Sequence, residues 1–400
     1  MSLVRKIGAK VFQLVYGALV RVLERINPAN QHQVVSLKPD GPVRGHVLLS
    51  YKIEFFLKKS NQPGTYYHQS WVITQRMARK FLDLGYAVDV IANKNNAFHP
   101  KKIYTFFIDT RMNFERLAPK LNKDCIKILH ATTAHPYFHN TAEAHRLMAL
   151  QERKHVTLRS RRFMLPSYAL AIEYADCITV SSEFCMQTFR YANKPIYLVP
   201  NAAEFVYPWT EAKNFESCRS RFLWLGSEGM VHKGLDLVLE AFAGMPEYHL
   251  TVCGPVAKEK DFERVYDQEL YHTPNIRTFG WIDIGSPEFV NLAAQCIGLV
   301  YPSCSEGSAG AVLIGLHAGL IPIISYESGV DVGKDVGVVL DDCSIEAIQE
   351  AVRQIATCSI QELKQRSRKA WEFARANHTM ENFENKYGEM VEKILADYQK

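Results

Sequence analysis

The chain of 400 residues has no stretch long enough to cross a bilayer. Its longest weakly polar run, 11–20, falls short of the roughly 20 apolar residues a spanning helix needs, and it includes Gln13 and Gly17. There is no C-x-x-C pair. The nine cysteines are odd in number, scattered and mostly embedded in apolar patterns, which argues against a disulfide framework and for buried thiols in a reducing compartment. Neither half carries G-x-G-x-x-G with an acid about 20 residues later, so a nicotinamide-dependent oxidoreductase is poorly supported. The P-loop pattern G-x-x-x-x-G-K-[ST] and a D-x-D motif are also missing. No recognition motif accompanies the basic residues, which argues against a nucleic-acid partner.

The length suits two domains of roughly 150 residues or more, and 47% apolar content can fill two cores. The net charge of +5 hides an asymmetry. Residues 1–200 hold 29 Lys+Arg against 13 Asp+Glu, or +16, and residues 201–400 hold 18 against 29, or −11. Either the basic half meets an anionic membrane or a phosphate-bearing substrate, or the opposite charges help the halves dock. Segment 1–28 speaks for a membrane. On a helical projection Val4, Ile7, Val11, Val15, Ala18 and Val22 share one face, with Lys6, Lys10 and Arg21 well away from its centre. Asn27 and Pro28 stop the helix, and no small-residue cleavage site of a signal peptide follows. The segment reads as an amphipathic helix on an anionic membrane surface, or as one docked on the protein itself.

Periodicity predicts alternating strands and helices. Strands fall at 47–50, 87–92, 104–108, 126–130, "CITV" and "IYLVP", with helices at 71–84, 113–121, 141–154, 168–174 and 182–191. The polar link "NAAEFVYPWTEAKNFESCRS" follows, and the pattern then repeats through "RFLWLG", "HLTVCG", "NIRTFG" and "GVVL" to a last helix at 382–398. The expected fold is α/β, with two Rossmann-like doubly wound domains facing a cleft. The expected division is a membrane-surface helix at 1–28, an acceptor domain at 45–203, a donor domain at 220–376, and a helix at 377–400 returning to the first domain.

Two charged residues stand at strand–helix junctions of the second half. Lys233 follows the 222–225 strand in "GSEGMVHKGLDLVLEAF", beside glycines that leave backbone N–H groups open to an anion such as a diphosphate. Glu306 lies in "YPSCSEGSAGAVLIGLHAGLIPIIS", where Gly307, Ser308, Ala309 and Gly310 keep the helix start small. A carboxylate would repel an anion, so Glu306 suits hydroxyl groups beside it. Taken singly, Lys233 reads equally as a solvated lysine and Glu306 as a helix cap. Together, about 70 residues apart in one predicted sheet, a lysine for phosphate and a carboxylate for hydroxyls describe a sugar nucleotide.

"SEGMVHKGLDLVLEAF", "LTVCGP", "NIRTFGWID" and "VYPSCSEGSAGAVLIGLHAGLIPIIS", in that order, resemble the second half of family 4 glycosyltransferases, which have the GT-B architecture. The likeness covers 220–345, and the first half matches mainly in layout. It implies a retaining, metal-independent glycosyltransferase with no cofactor, using a UDP- or GDP-type sugar donor and a glycan or lipid-linked acceptor in surface polysaccharide or glycoconjugate synthesis. With the 1–28 segment read as a membrane-surface helix, the expected place of work is the cytoplasmic, inner face of a membrane. Lys233 would bind the diphosphate, Glu306 would hold hydroxyls of the transferred sugar, and His130 would lie near that sugar. Further donor contacts are implied at Gly64, Gly226, Ser227, Gly280, Trp281 and the Gly307, Ser308, Ala309, Gly310 loop.

Two departures from the family pattern matter. Ile314 stands where the E-x7-E pattern has its second glutamate, and Ser227 and Glu228 occupy the region that usually carries a basic residue before the lysine. An inactive sugar-nucleotide or glycan-binding homologue is therefore the competing reading, and a sugar-nucleotide 2-epimerase would share the layout. "HATTAHPYFHNTAEAH" brings His130, His135, His139 and His145 close in sequence, but Pro136 is expected to scatter them and no ligand set is complete, so no metal site is assigned. His135 is a candidate acceptor contact. Arg153, Lys154, Arg159, Arg161 and Arg162 in "RKHVTLRSRRF" either meet a phosphate of the acceptor, with Arg159 and Arg161 the candidate contacts, or form a solvated face.

Overall fold

The computed structural model describes residues 32–57 and 68–398. The predicted 1–28 helix and Gly64 lie outside them. Seven strands form the first sheet: β1 (Val34–Leu37), β2 (Gly45–Tyr51), β3 (Tyr86–Ala92), β4 (Phe106–Asp109), β5 (Ile126–Ala131), β6 (Cys177–Val180) and β7 (Ile196–Leu198). Their order is β1-β3-β2-β4-β5-β6-β7, parallel throughout except for β1, which runs antiparallel to β3. Sequence reading misses β1. Its four residues alternate between exposed and half-buried, and the strand exists because β3 offers it an edge. The central strands are buried on both faces and read as continuous apolar runs, as parallel strands under helices do.

The second sheet contains β8 (Arg221–Leu225), β9 (His249–Cys253), β10 (Ile276–Gly280), β11 (Gly298–Tyr301), β12 (Ile321–Ser325) and β13 (Val338–Leu340). It is parallel throughout in the doubly wound order β10-β9-β8-β11-β12-β13. The helices that position the site are α1 (Gln69–Asp83), α2 (Pro136–Lys154), α3 (Glu183–Phe189), α4 (Leu235–Ala243), α5 (Gly310–His317) and α6 (Met380–Tyr398). Phe383, Tyr387, Met390, Val391 and Ile394 of α6 are buried in the first domain's core, against α1.

Helix α2 starts earlier than the periodicity suggests. Pro136 occupies its first turn, where the missing N–H costs nothing, and His135 caps it. The proline thus begins the helix that carries His139 and His145 instead of separating them from it. Although α2 follows the first sheet's β5, its Leu150, with Leu158 just beyond, is buried in the second domain's core beside Trp224 and Leu235. Charge follows the same seam. Arg153 pairs with Asp236 at 2.7 Å and Glu240 at 3.3 Å, and Lys154 pairs with Glu269 at 2.8 Å. These contacts favour docking between the halves as one cause of the charge asymmetry. Arg159 and Arg161 belong to the seam as well: Asp261 accepts from the Arg159 N–H at 3.0 Å and from the Arg161 guanidinium. Neither is among the residues that line the cleft, where the acceptor contact was expected.

Candidate active site

The C-terminal ends of β2 and β4 face those of β8 and β11 across a cavity of about 730 Å³. Each pair marks the point where the crossovers of its sheet leave in opposite directions, which is where open α/β sheets bind ligands. Tyr51 and Thr110 line one wall, and Gly226 and Tyr301 the other.

Lys233 and Glu306 meet at this wall. After β8 the chain turns through Gly234, which has φ +73°, and a Cβ there would come within 2.5 Å of the Pro302 carbonyl oxygen. Only glycine permits that approach, and it seats the lysine turn directly against the loop after β11. The Lys233 ammonium donates to Glu306 Oε1 at 2.7 Å, and the Tyr301 hydroxyl donates to the same oxygen at 3.0 Å. Both charged side chains are largely buried. Burial opposes ionisation of Glu306, but the Lys233 ammonium and the Arg162 guanidinium outweigh it and hold the carboxyl well below the usual range. The two residues expected to act on phosphate and hydroxyls separately are, in this structure, one ion pair.

Backbone donors are fewer than expected. The Glu259 carboxylate accepts from the N–H groups of Gly229 and Met230, the Gly226 N–H bonds the Cys253 carbonyl oxygen, and the Lys233 N–H bonds that of Gly229. Across the site, the Ala309 N–H is committed to the Ser328 carbonyl oxygen at 2.9 Å and Ala309 does not line the cavity, so it offers no contact there. Gly307, Ser308 and Gly310 do line it, at the start of α5. Gly307 also lies so close to Thr132 of the first domain that a Cβ would be 2.2 Å from its carbonyl oxygen. Ser182 at the start of α3 donates to the Gly307 carbonyl oxygen at 2.6 Å, which ties the loop to the first domain.

His130, at the end of β5, lines the cavity. Its Nδ1 is 2.7 Å from the Thr179 hydroxyl, and burial pushes its pKa down to about 4, so the ring is neutral at pH 7. His135 does not line the main cavity. Its Nδ1 accepts the Tyr137 N–H as the cap of α2, and its Nε2 is 3.1 Å from the Tyr191 hydroxyl. Ser227 and Trp281 line the cavity, Trp281 with 64% of its surface exposed. Gly280 does not line it and takes φ +87° at the end of β10. Ile314, eight residues after Glu306, does line it, 2% exposed.

Sequence reasoning missed two features of the site. Arg111 lines the cavity from the first domain, and no motif marks it; Arg162, which lines it too, belongs to the basic run "RKHVTLRSRRF". His139, Glu143 and His232 also gather, with ligand-type atoms within 4.8 Å of one another. Their hydrogen bonds make the trio a buckle between domains. His139 Nε2 bonds the Arg162 carbonyl oxygen at 2.9 Å, and its Nδ1 takes the Ser305 hydroxyl at 3.1 Å. His232 Nε2 bonds the Ser305 carbonyl oxygen at 2.6 Å, while Glu143 accepts from the N–H groups of Arg161 and Arg162. Burial pushes the pKa of His139 down to about 4 and that of His232 to about 3, which keeps both rings neutral.

No family model matches the sequence, and no curated protein does. Solved structures do. The chain is similar to sucrose-phosphate synthase from Thermosynechococcus elongatus, at 14% identity over 88% of this chain and 100% of that one, with a TM-score of 0.64. HepE of Anabaena, solved with UDP-glucose, matches at 11% identity over 88% and 100%, TM-score 0.55. WaaG, a glycosyltransferase involved in lipopolysaccharide biosynthesis, matches at 14% identity over 86% and 99%, TM-score 0.54. The fold is therefore the two-domain GT-B architecture that these proteins share.

Proposed function

We propose that the chain is a retaining, metal-independent glycosyltransferase of the family 4 type. It moves a sugar from a UDP- or GDP-type donor to a hydroxyl of a glycan or lipid-linked acceptor in surface polysaccharide or glycoconjugate synthesis. The observation that carries the reading is the buried Lys233–Glu306 pair, 2.7 Å apart, at the strand ends of a cleft large enough for a sugar nucleotide. HepE, with the same fold, was solved with UDP-glucose in place. On binding, Lys233 turns from Glu306 to the donor's diphosphate, and Glu306 accepts the hydroxyls of the sugar instead. The bond between the anomeric carbon and the β-phosphate oxygen breaks with its electron pair on the phosphate. The acceptor oxygen bonds the anomeric carbon on the same face, and its proton passes to the departing phosphate. Catalysis is then mainly stabilisation of the leaving group and positioning. Neutral His130 offers a hydrogen bond near the sugar without adding a cation. Residues 1–28, outside the described residues, supply the contact with an anionic membrane surface at the cytoplasmic face. Among the described residues no helix is long and apolar enough to cross a membrane.

Ile314 favours a second reading, a non-catalytic sugar-nucleotide-binding partner of such an enzyme. A thermal-shift series with UDP, GDP, ADP and their sugar conjugates, with and without EDTA, tests the donor site. Stabilisation by one nucleotide that survives EDTA and vanishes in Lys233→Met supports it. Turnover of that donor then separates enzyme from binding partner, and no shift with any nucleotide removes both.

A further inference from the structure

We propose that Arg162, reaching across from the first domain, is the second cation of the diphosphate site, taking the place of the basic residue missing from the loop after β8. The inference rests on the sugar-nucleotide reading above and adds a residue to it. Its ground is the local charge balance. Of the N–H groups after β8, those of Gly226, Gly229, Met230 and Lys233 are already bonded within the protein, and Ser227 and Glu228 bring no positive charge. Of the second domain's described lysines and arginines, Lys233 alone lines the cavity, against a group that carries at least two negative charges, and it is shared with Glu306.

Arg162 lines the same cavity. Its side-chain stem lies over Gly229, where a Cβ would come within 2.7 Å of Arg162 Cγ and 2.9 Å of its Cδ, so glycine at 229, with φ +96°, leaves room for the arginine to enter. The guanidinium makes no hydrogen bond or ion pair among the described residues, and its Nε is buried without a partner. It is close enough to Glu306 to help keep that carboxyl ionised. An unpaired, partly desolvated guanidinium beside a shared lysine is a site still short of an anion, and its planar fork fits phosphate oxygens.

The backbone of Arg162 is held on both sides. Glu143 accepts its N–H, with oxygens at 2.9 and 3.1 Å, and His139 Nε2 donates to its carbonyl oxygen at 2.9 Å. The buried histidine–glutamate cluster thereby acquires a purpose: it presents a first-domain cation to a second-domain site. Nucleotide binding would then draw on both domains in the region where α2 docks.

The test is equilibrium binding of UDP, GDP, UMP, GMP and inorganic pyrophosphate to the native protein, Arg162→Met, Arg162→Lys and Glu143→Gln. Methionine keeps an unbranched stem over Gly229 and removes only the charge. Arg162→Met is expected to weaken the preferred nucleoside diphosphate about ten-fold or more and the matching monophosphate less than about three-fold. Arg162→Lys should recover part of the loss, and Glu143→Gln should reproduce a fraction of it. Unchanged diphosphate affinity in Arg162→Met, with a native-like unfolding midpoint, overturns the proposal while leaving the donor reading intact. If no nucleotide binds the native protein but pyrophosphate does, and Arg162→Met abolishes that, the anion site stands and the donor reading falls. Binding of none of the probes to the native protein overturns both.

Discussion

Removing the Lys233 ammonium should destabilise the second domain by far more than the loss of a surface charge. Lys233→Met leaves the Glu306 carboxylate buried, with the Tyr301 hydroxyl as its remaining close donor at 3.0 Å. At 2.7 Å and an effective dielectric of about 20, the gross attraction of the pair is about 6 kcal/mol, set against the desolvation of both charges. Breaking such a pair from one side typically costs about 3–5 kcal/mol. Arg162 lies near enough to soften the loss, so about 3 kcal/mol is expected for Lys233→Met and a similar figure for Glu306→Gln. The double variant should cost no more than either single one, because no charge is left stranded. Urea unfolding followed by tryptophan fluorescence reads the cycle, with Trp224 stacked on Tyr301 at a centroid distance of 6.4 Å as a local reporter. The deficit of Lys233→Met should shrink as the pH is lowered, since a proton neutralises the stranded carboxylate. Single variants that each cost less than about 1 kcal/mol, and that add in the double, would refute the buried-pair argument.

Stability should also fall with acid through buried histidines. Burial pushes His317 and His139 down to about 4 and His232 to about 3, so the folded state favours their neutral forms. The contribution is complete above the ordinary histidine value near 6.5 and is lost as pH falls from there towards 4. For His317 alone the loss at pH 5 is about 2 kcal/mol, and a urea midpoint that does not move between pH 7.5 and 5 would contradict it. Asp109, pushed up by burial to about 6, works in the opposite direction over the same window, while His130, also pushed down to about 4, adds to the loss. At the domain seam, Arg153→Met leaves the fully buried Asp236 carboxylate with the Arg146 charge nearby but without its ion-pair partner, and should cost about 3 kcal/mol. Faster amide exchange in α2 is the local readout, and unchanged protection there would mean that Leu150 and Leu158 hold the helix without the ion pairs.

Much of the fold was legible because parallel strands buried on both faces leave unmistakable apolar runs. "RFLWL", "GLVY" and "IPIIS" become β8, β11 and β12 almost residue for residue. Strand β1 was not, since a four-residue edge strand carries no such run and takes its partner from far along the chain. Lys233 and Glu306 were legible as strand-end residues of one crevice. That they bond each other was not, because the contact depends on Gly234 fitting under Pro302.

By itself the amino-acid order determined two doubly wound units and the strand–helix junctions where a ligand would sit, through periodicities that act over a few residues. Tertiary structure alone decided which charges were already taken. Arg161 looks like a free cation in a basic run, yet Asp261 from another domain engages its guanidinium and also accepts the backbone N–H of Arg159. Arg162, their neighbour in the chain, remains unpaired in the cleft. One residue step separates seam from site because the chain bends at 161 and 162, so neighbouring side chains leave in different directions. Which of them meets a carboxylate is then set by elements about a hundred residues away.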